Sequence, residues 1–153
     1  MVKPFSLQTV LELMQSRSDD ATQNLARLIA RERDEKTKFD MLEQYRHEYA
    51  QRFQEAARNG LSPHAWRNYQ EFLSRLDEAI DVQRQVVARQ QQETVAGQQQ
   101  WQEQRKKLKA IDTLSARHFS NEHALESKRI QKTQDEFAAR GRKMEDTKSA
   151  DDT

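Results

Sequence analysis

Residues 41–80 read MLEQYRHEYAQRFQEAARNGLSPHAWRNYQEFLSRLDEAI. Near the middle, Asn59-Gly60-Leu61-Ser62-Pro63 separates two stretches that are free of Gly and Pro. Gly60 suits the left-handed position that follows a helix end. Ser62 suits the N-cap of a second helix, with Pro63 at its first position, where a missing N–H costs nothing. The block therefore reads as helix, short turn, helix.

Working back from the turn, a 3–4 spacing runs from Leu7 to Ala56 without a skipped position. Eleven of its fifteen positions are apolar, where a chain that is 35% hydrophobic gives about five. Working forward, a second series runs from Trp66 to Ser115, with nine of fifteen apolar. Two heptad helices joined by a short turn fold back on each other, so the expected fold is all-α: a long antiparallel two-helix coiled-coil hairpin with a longer second helix. A register in which facing positions sum to 122 puts Tyr49 opposite Leu73, Leu42 opposite Ile80 and Met14 opposite Leu108. It also sets large against small, Trp66 on Ala56, Trp101 on Ala21 and Leu25 on Gly97, as dense packing requires. Polar layers coincide too: Glu32 meets Gln90 and Ser18 meets Gln104, weakening the pair while helping to set its register. Ser6 is the expected first N-cap, with Phe5 and Val10 as a hydrophobic staple. The expected organisation is one domain: helix one over about 7–58, turn 59–62, helix two over about 63–140, and a disordered tail over 141–153.

Composition agrees with long helices and excludes much else. Of 153 residues, 33% are charged and only 3 are Gly and 2 Pro, which disfavours a turn-rich β fold. The 19 glutamines add to the helix formers. The mean hydropathy of −1.13 is too low for an ordinary globular core. With 0 Cys there is no disulfide framework or thiolate site, which suits a reducing cytosol. No apolar run reaches membrane-spanning length, and MVKPFSLQTVLELMQSRSDD does not read as a secretory signal. A net charge of +1 exerts no global pull toward nucleic acid or anionic lipid.

Two features lie off the seam. Tyr45, Phe72, Ala79 and Val86 occupy g-type positions and converge on one flank, either as a partner site or as a widened seam. Helix one runs out at Leu7, opposite Ser115, while helix two goes on; residues 105–132 hold eight basic residues against three acidic ones, with Phe119, Leu125 and Ile130 lacking a seam partner. That overhang reads as a dock for an acidic protein surface or as a solvated helix. It lacks the interleaved aromatics that single-stranded nucleic acid needs, so no nucleic-acid partner is expected. His118 and His123 are five apart on different faces, a poor metal pair, and Gly60, Gly97 and Gly141 are isolated, so no phosphate loop exists. No nucleophile–base arrangement is visible either, and neither an enzyme, a cofactor nor a small-molecule substrate is expected.

The 41–80 block resembles the FliJ family of flagellar export proteins. The marks are Tyr45-x-x-x-Tyr49, the Asn-Gly turn, and Trp66-x-x-Tyr69-x-x-Phe72-x-x-x-Leu76-x-x-Ala79, with Trp101 and the distal DEFAAR from Asp135 to Arg140 in support. The resemblance extends from about Leu7 to Arg140. It implies a cytoplasmic component of the flagellar type III export apparatus, peripherally associated with the inner membrane at the flagellar base. The implied partners are the hexameric export ATPase, the membrane export gate protein and export chaperones. Gate contacts in the family map onto Leu42, Tyr45, Tyr49, Phe72, Leu76 and Ala79 of this sequence. The implied ring contact lies near the termini, where Lys128, Arg129 and Lys132 are the candidate residues. Two alternatives stay open: a general coiled-coil scaffold or chaperone, and the stalk protein of a virulence type III secretion system.

Overall fold

Two helices carry almost all of the computed structural model, which describes residues 3–151: α1 over Gln8–Arg58 and α2 over Pro63–Asp151. The described residues contain no strand, and the fold is the all-α helical hairpin that the heptads predict. The turn forms as its chemistry dictates. Gly60 has φ of 91°, the left-handed conformation that follows α1, and its N–H donates to the Ala57 carbonyl at 3.3 Å. Ser62 Oγ accepts the Ala65 N–H at 3.1 Å, and the Ser62 carbonyl accepts the Trp66 N–H at 3.0 Å, so Ser62 caps α2.

Contacts divide the chain into two units. One spans Arg17–Gln104; the other joins the residues up to Ser16 to those from Arg105 on. Within Arg17–Gln104 the helices are antiparallel: Phe53 meets Trp66, Arg46 pairs with Asp77, Glu35 meets Gln83, and Thr22 meets Trp101. These pairs sum to within four of 122, as expected where each knob touches the residues around its facing layer. Two details differ from simple facing pairs. A Cβ on Gly97 would lie 2.4 Å from Leu28 Cδ1, so Leu28 fills the space above the glycine. The Gln90 amide reaches the Leu28 carbonyl at 3.5 Å rather than Glu32.

Burial is shallow because a two-helix seam covers each side chain from one side only. Leu76 and Ile80, 8% and 6% exposed, are the buried apolar residues of this unit, and Ser18 and Gln90 are its buried polar ones. The register makes a direct prediction: Ala21→Cys with Trp101→Cys forms an intramolecular disulfide under mild oxidation, visible as a reductant-sensitive mobility shift. No cross-link in the monomer would mean the layers are offset.

In the other unit the chain ahead of α1 folds onto α2. Phe5 is buried against the His118 ring at 5.4 Å, and His118 Nε2 lies 2.9 Å from the Lys3 carbonyl oxygen. The Lys3 backbone N–H points at Glu122 at 3.5 Å. The first i→i+4 bond runs from Leu11 N–H to the Leu7 carbonyl at 2.9 Å, and Gln8 N–H donates to the Phe5 carbonyl at 3.1 Å. The helix therefore enters one residue after Ser6, held by Phe5 on α2.

At the far end, α2 does not stop near Arg140 but continues to Asp151, in place of the disordered tail read from 141 on. The last two residues of that stretch lie outside the described ones. Gly141 is the one strong helix-disfavouring residue there, costing about 1 kcal/mol relative to Ala, and no proline follows it. Thr147 Oγ1 bonds back to the Lys143 carbonyl at 2.8 Å, and Lys148 sits in the last turn, where the helix dipole favours a cation. Every described residue from Ser127 to Asp151 is exposed.

Candidate functional site

The 3–4 spacing near the turn is filled largely by aromatic residues, and the antiparallel register interleaves them. Tyr45, Phe72, Tyr49, Tyr69, Phe53 and Trp66 form a continuous ladder, each ring 4.3–6.0 Å from the next. Tyr45–Phe72 and Phe53–Trp66 are edge-on, which sets ring edge against ring face, and the other three pairs are tilted. The ladder ends on the flank. Tyr45 is 45% exposed and touches Phe72 edge-on at 6.0 Å, whereas Phe72 lies deeper, 4.3 Å from Tyr49.

Beside Tyr45 a groove of about 580 Å³ is lined by Lys38, Met41, Leu42, Gln44, Glu48 and Gln83. Met41 is 65% exposed, so the groove offers apolar surface to a partner. The residues named for a gate contact are thus not equivalent. Leu42 and Tyr45 line the groove, and Ala79 is exposed. Tyr49 and Phe72 are half-buried in the ladder, while Leu76 is buried in the seam and supports the surface from below. The g-type flank is part surface and part widened seam: Tyr45 and Phe72 do converge, and Val86 is half-buried.

The opposite flank is charged. Arg46 forms an ion pair with Asp77 across the helices, which holds its guanidinium in the charged form. Arg84 pairs with Asp81 at 3.1 Å and lies 5.7 Å from the Phe39 ring centroid. Beside the groove, Gln83 Nε2 donates to the Glu35 carboxylate at 2.6 Å and to the Glu35 backbone carbonyl at 3.0 Å. Hydrogen bonding by Gln83 holds the Glu35 carboxyl below the usual carboxylate range, against the opposing pull of burial and with help from Lys38. Folding therefore depresses this pKa. The resulting stability is present in full above the ordinary glutamate range and is lost as pH falls through the folded value. Glu35→Gln is expected to flatten the acid limb of the stability profile, measured as unfolding midpoint against pH. An unchanged limb would assign the acid sensitivity elsewhere.

Lys128, Arg129 and Lys132 are exposed on α2, with Arg129 Nη1 3.7 Å from Glu126. Among the described residues no three His, Asp or Glu side chains converge where they could hold a metal, and no helix is long and apolar enough to cross a membrane. Three features escaped the sequence reading: the Phe5–His118 contact, the Gln83–Glu35 bond and the Trp101 Nε1–H donated to Thr22 Oγ1 at 3.0 Å. Heptad spacing carries a signal for the last of these. It carries none for a residue ahead of the helix.

A family model described as the flagellar FliJ protein matches residues 3–143. The flagellar FliJ protein of Salmonella typhi is 29% identical over 140 residues, covering 92% of this chain and 95% of the relative. That of Escherichia coli (strain K12) is 28% identical over the same coverage. With the match spanning both helices and the turn between them, the chain belongs to the flagellar FliJ family.

Proposed function

We propose that the chain is a non-enzymatic component of the flagellar type III protein export apparatus that couples the export ATPase ring to the membrane export gate, activating the ATPase and escorting export chaperones. The observation that carries this reading is the pairing of family membership with an exposed aromatic flank, Tyr45 beside the Met41–Leu42 groove. Aromatic and methionine side chains on a rigid helical face are the residue types that anchor protein partners. In this reading the gate protein takes the groove, with Leu42, Tyr45 and Ala79 at the surface and Tyr49, Phe72 and Leu76 holding it in shape. The ATPase ring takes the basic portion of α2 at Lys128, Arg129 and Lys132. The protein works in the cytoplasm, peripherally associated with the inner membrane at the flagellar base.

The test is the ATP hydrolysis rate of the cognate export ATPase with and without the purified chain. Saturable stimulation is expected. Binding to chaperones or gate without stimulation would leave a scaffold that holds other helices, the second reading, which the exposed groove also fits.

A further inference from the structure

Along the Arg17–Gln104 unit the seam changes character. Near the turn, between Tyr49 and Leu76, it is aromatic and contains a buried leucine. Away from the turn, α2 offers Gln90, Thr94, Gly97, Trp101 and Gln104 at successive seam positions, and α1 answers with Ser18, Ala21, Leu25, Leu28 and Glu32. Only Trp101 is a large apolar residue on the α2 side. Gly97 gives Leu28 no side chain to pack on, only backbone.

Apart from the Trp101 indole N–H donated across the seam to Thr22 Oγ1 at 3.0 Å, the polar groups in this stretch are poorly rewarded for being buried. Gln90 is 6% exposed, and its bond to the Leu28 carbonyl is long, at 3.5 Å. Thr94 Oγ1 donates within its own helix, to the Gln90 carbonyl at 2.9 Å, and reaches Leu28 O only at 3.4 Å. Thr22, exposed on α1, donates to the Ser18 carbonyl of its own helix at 2.9 Å while accepting the Trp101 N–H. Gln104 Oε1 is buried with no hydrogen-bond partner. A buried acceptor without a partner regains a hydrogen bond when water enters, so opening here recovers energy that opening the aromatic seam does not.

We infer that residues 18–32 and 90–104 form a built-in opening segment, in which the two helices separate locally while the seam between Tyr49 and Leu76 stays closed. Separation transiently uncovers Ala21, Leu25 and Leu28 on α1, leaving a yielding stretch beside a firm one. The inference does not rest on the export reading, since it uses only the seam's own chemistry.

Native-state amide hydrogen exchange on the full chain, read segment by segment, tests it. Amides in 21–32 and 91–104 are expected to exchange about tenfold or more faster than those in 49–57 and 66–76, because a separated helix of this length is marginal in water. Gln90→Leu with Gln104→Leu should slow exchange in the first two segments and leave the aromatic segments unchanged. Equal rates across all four segments in the wild-type chain overturn the inference without any variant. So does a doubly substituted chain of undiminished helicity whose exchange pattern matches wild type. The disulfide variant Ala21→Cys with Trp101→Cys supplies a second check: relative to its reduced form, oxidation should slow exchange in 21–32 and 91–104 and spare 49–76, and a uniform slowing again overturns it.

Discussion

Replacing Phe72 by alanine is expected to lower the unfolding free energy by about 2–3 kcal/mol, below the roughly 3–5 kcal/mol of a fully buried ring because Phe72 is half-buried. Phe72 sits between Tyr45 and Tyr49, and aromatic contacts add about 0.5–1.5 kcal/mol beyond area burial. Tyr45→Ala, at one exposed end of the same ladder, should cost under about 1 kcal/mol. The two rings share a flank but differ in role, so the substitutions separate stability from recognition. Tyr45→Ala should weaken binding to the gate protein while urea unfolding is nearly unchanged, whereas Phe72→Ala should alter both. Equal, small stability losses would place Phe72 on the surface with Tyr45. A Tyr45→Ala chain that binds the gate as wild type does would remove the groove from the proposed interface.

Reversing Lys128, Arg129 and Lys132 to glutamate should strongly reduce stimulation of the export ATPase and remove much of its salt dependence. These cations lie on an exposed helix, so their attraction to an acidic ring surface is screened over about 8–10 Å at physiological ionic strength. The reversal changes six charge units without touching the seam. Helicity and gate binding through Tyr45 should therefore persist. Measuring ATPase rate against salt for both chains decides the matter. If the reversed chain stimulates equally, with the same salt slope, the ring contact lies elsewhere on the protein.

Much of the fold was readable because its determinants are periodic. The turn at Asn59–Pro63 is spelled out by residues with special backbone properties, and heptads on both sides set which faces meet. What periodicity does not encode is how far a side chain reaches within a layer. Gln83 and Phe39 share a layer by number, yet the amide extends to Glu35, whose carboxylate rewards it with a charge-assisted bond. Phe72 could be placed on the flank but not assigned its depth, which depends on Tyr49 leaning toward it. The stop expected near Arg140 rested on the polar, charged composition of 141–153, which by itself does not forbid a helix. One glycine is a small penalty against a run of good helix formers. Phe5 was expected to staple its own helix and instead packs on His118 of the other, a long-range contact that local capping rules do not reach.

The position of the aromatic ladder bears on how quickly the hairpin forms. Trp66, Phe53 and Tyr69 lie just beyond a turn of four residues, so their contacts close a very short loop. The entropy lost in loop closure grows with the logarithm of loop length, and contacts local in sequence speed folding. These aromatic contacts are thus among those reached first by a collapsing chain. Phe53 and Trp66 should belong to the folding nucleus of the Arg17–Gln104 unit, with φ-values near those of a structured transition state, while Leu25 and Leu28 should be recruited after it. Truncations beside the turn then slow folding, and truncations toward Ser18 chiefly hasten unfolding.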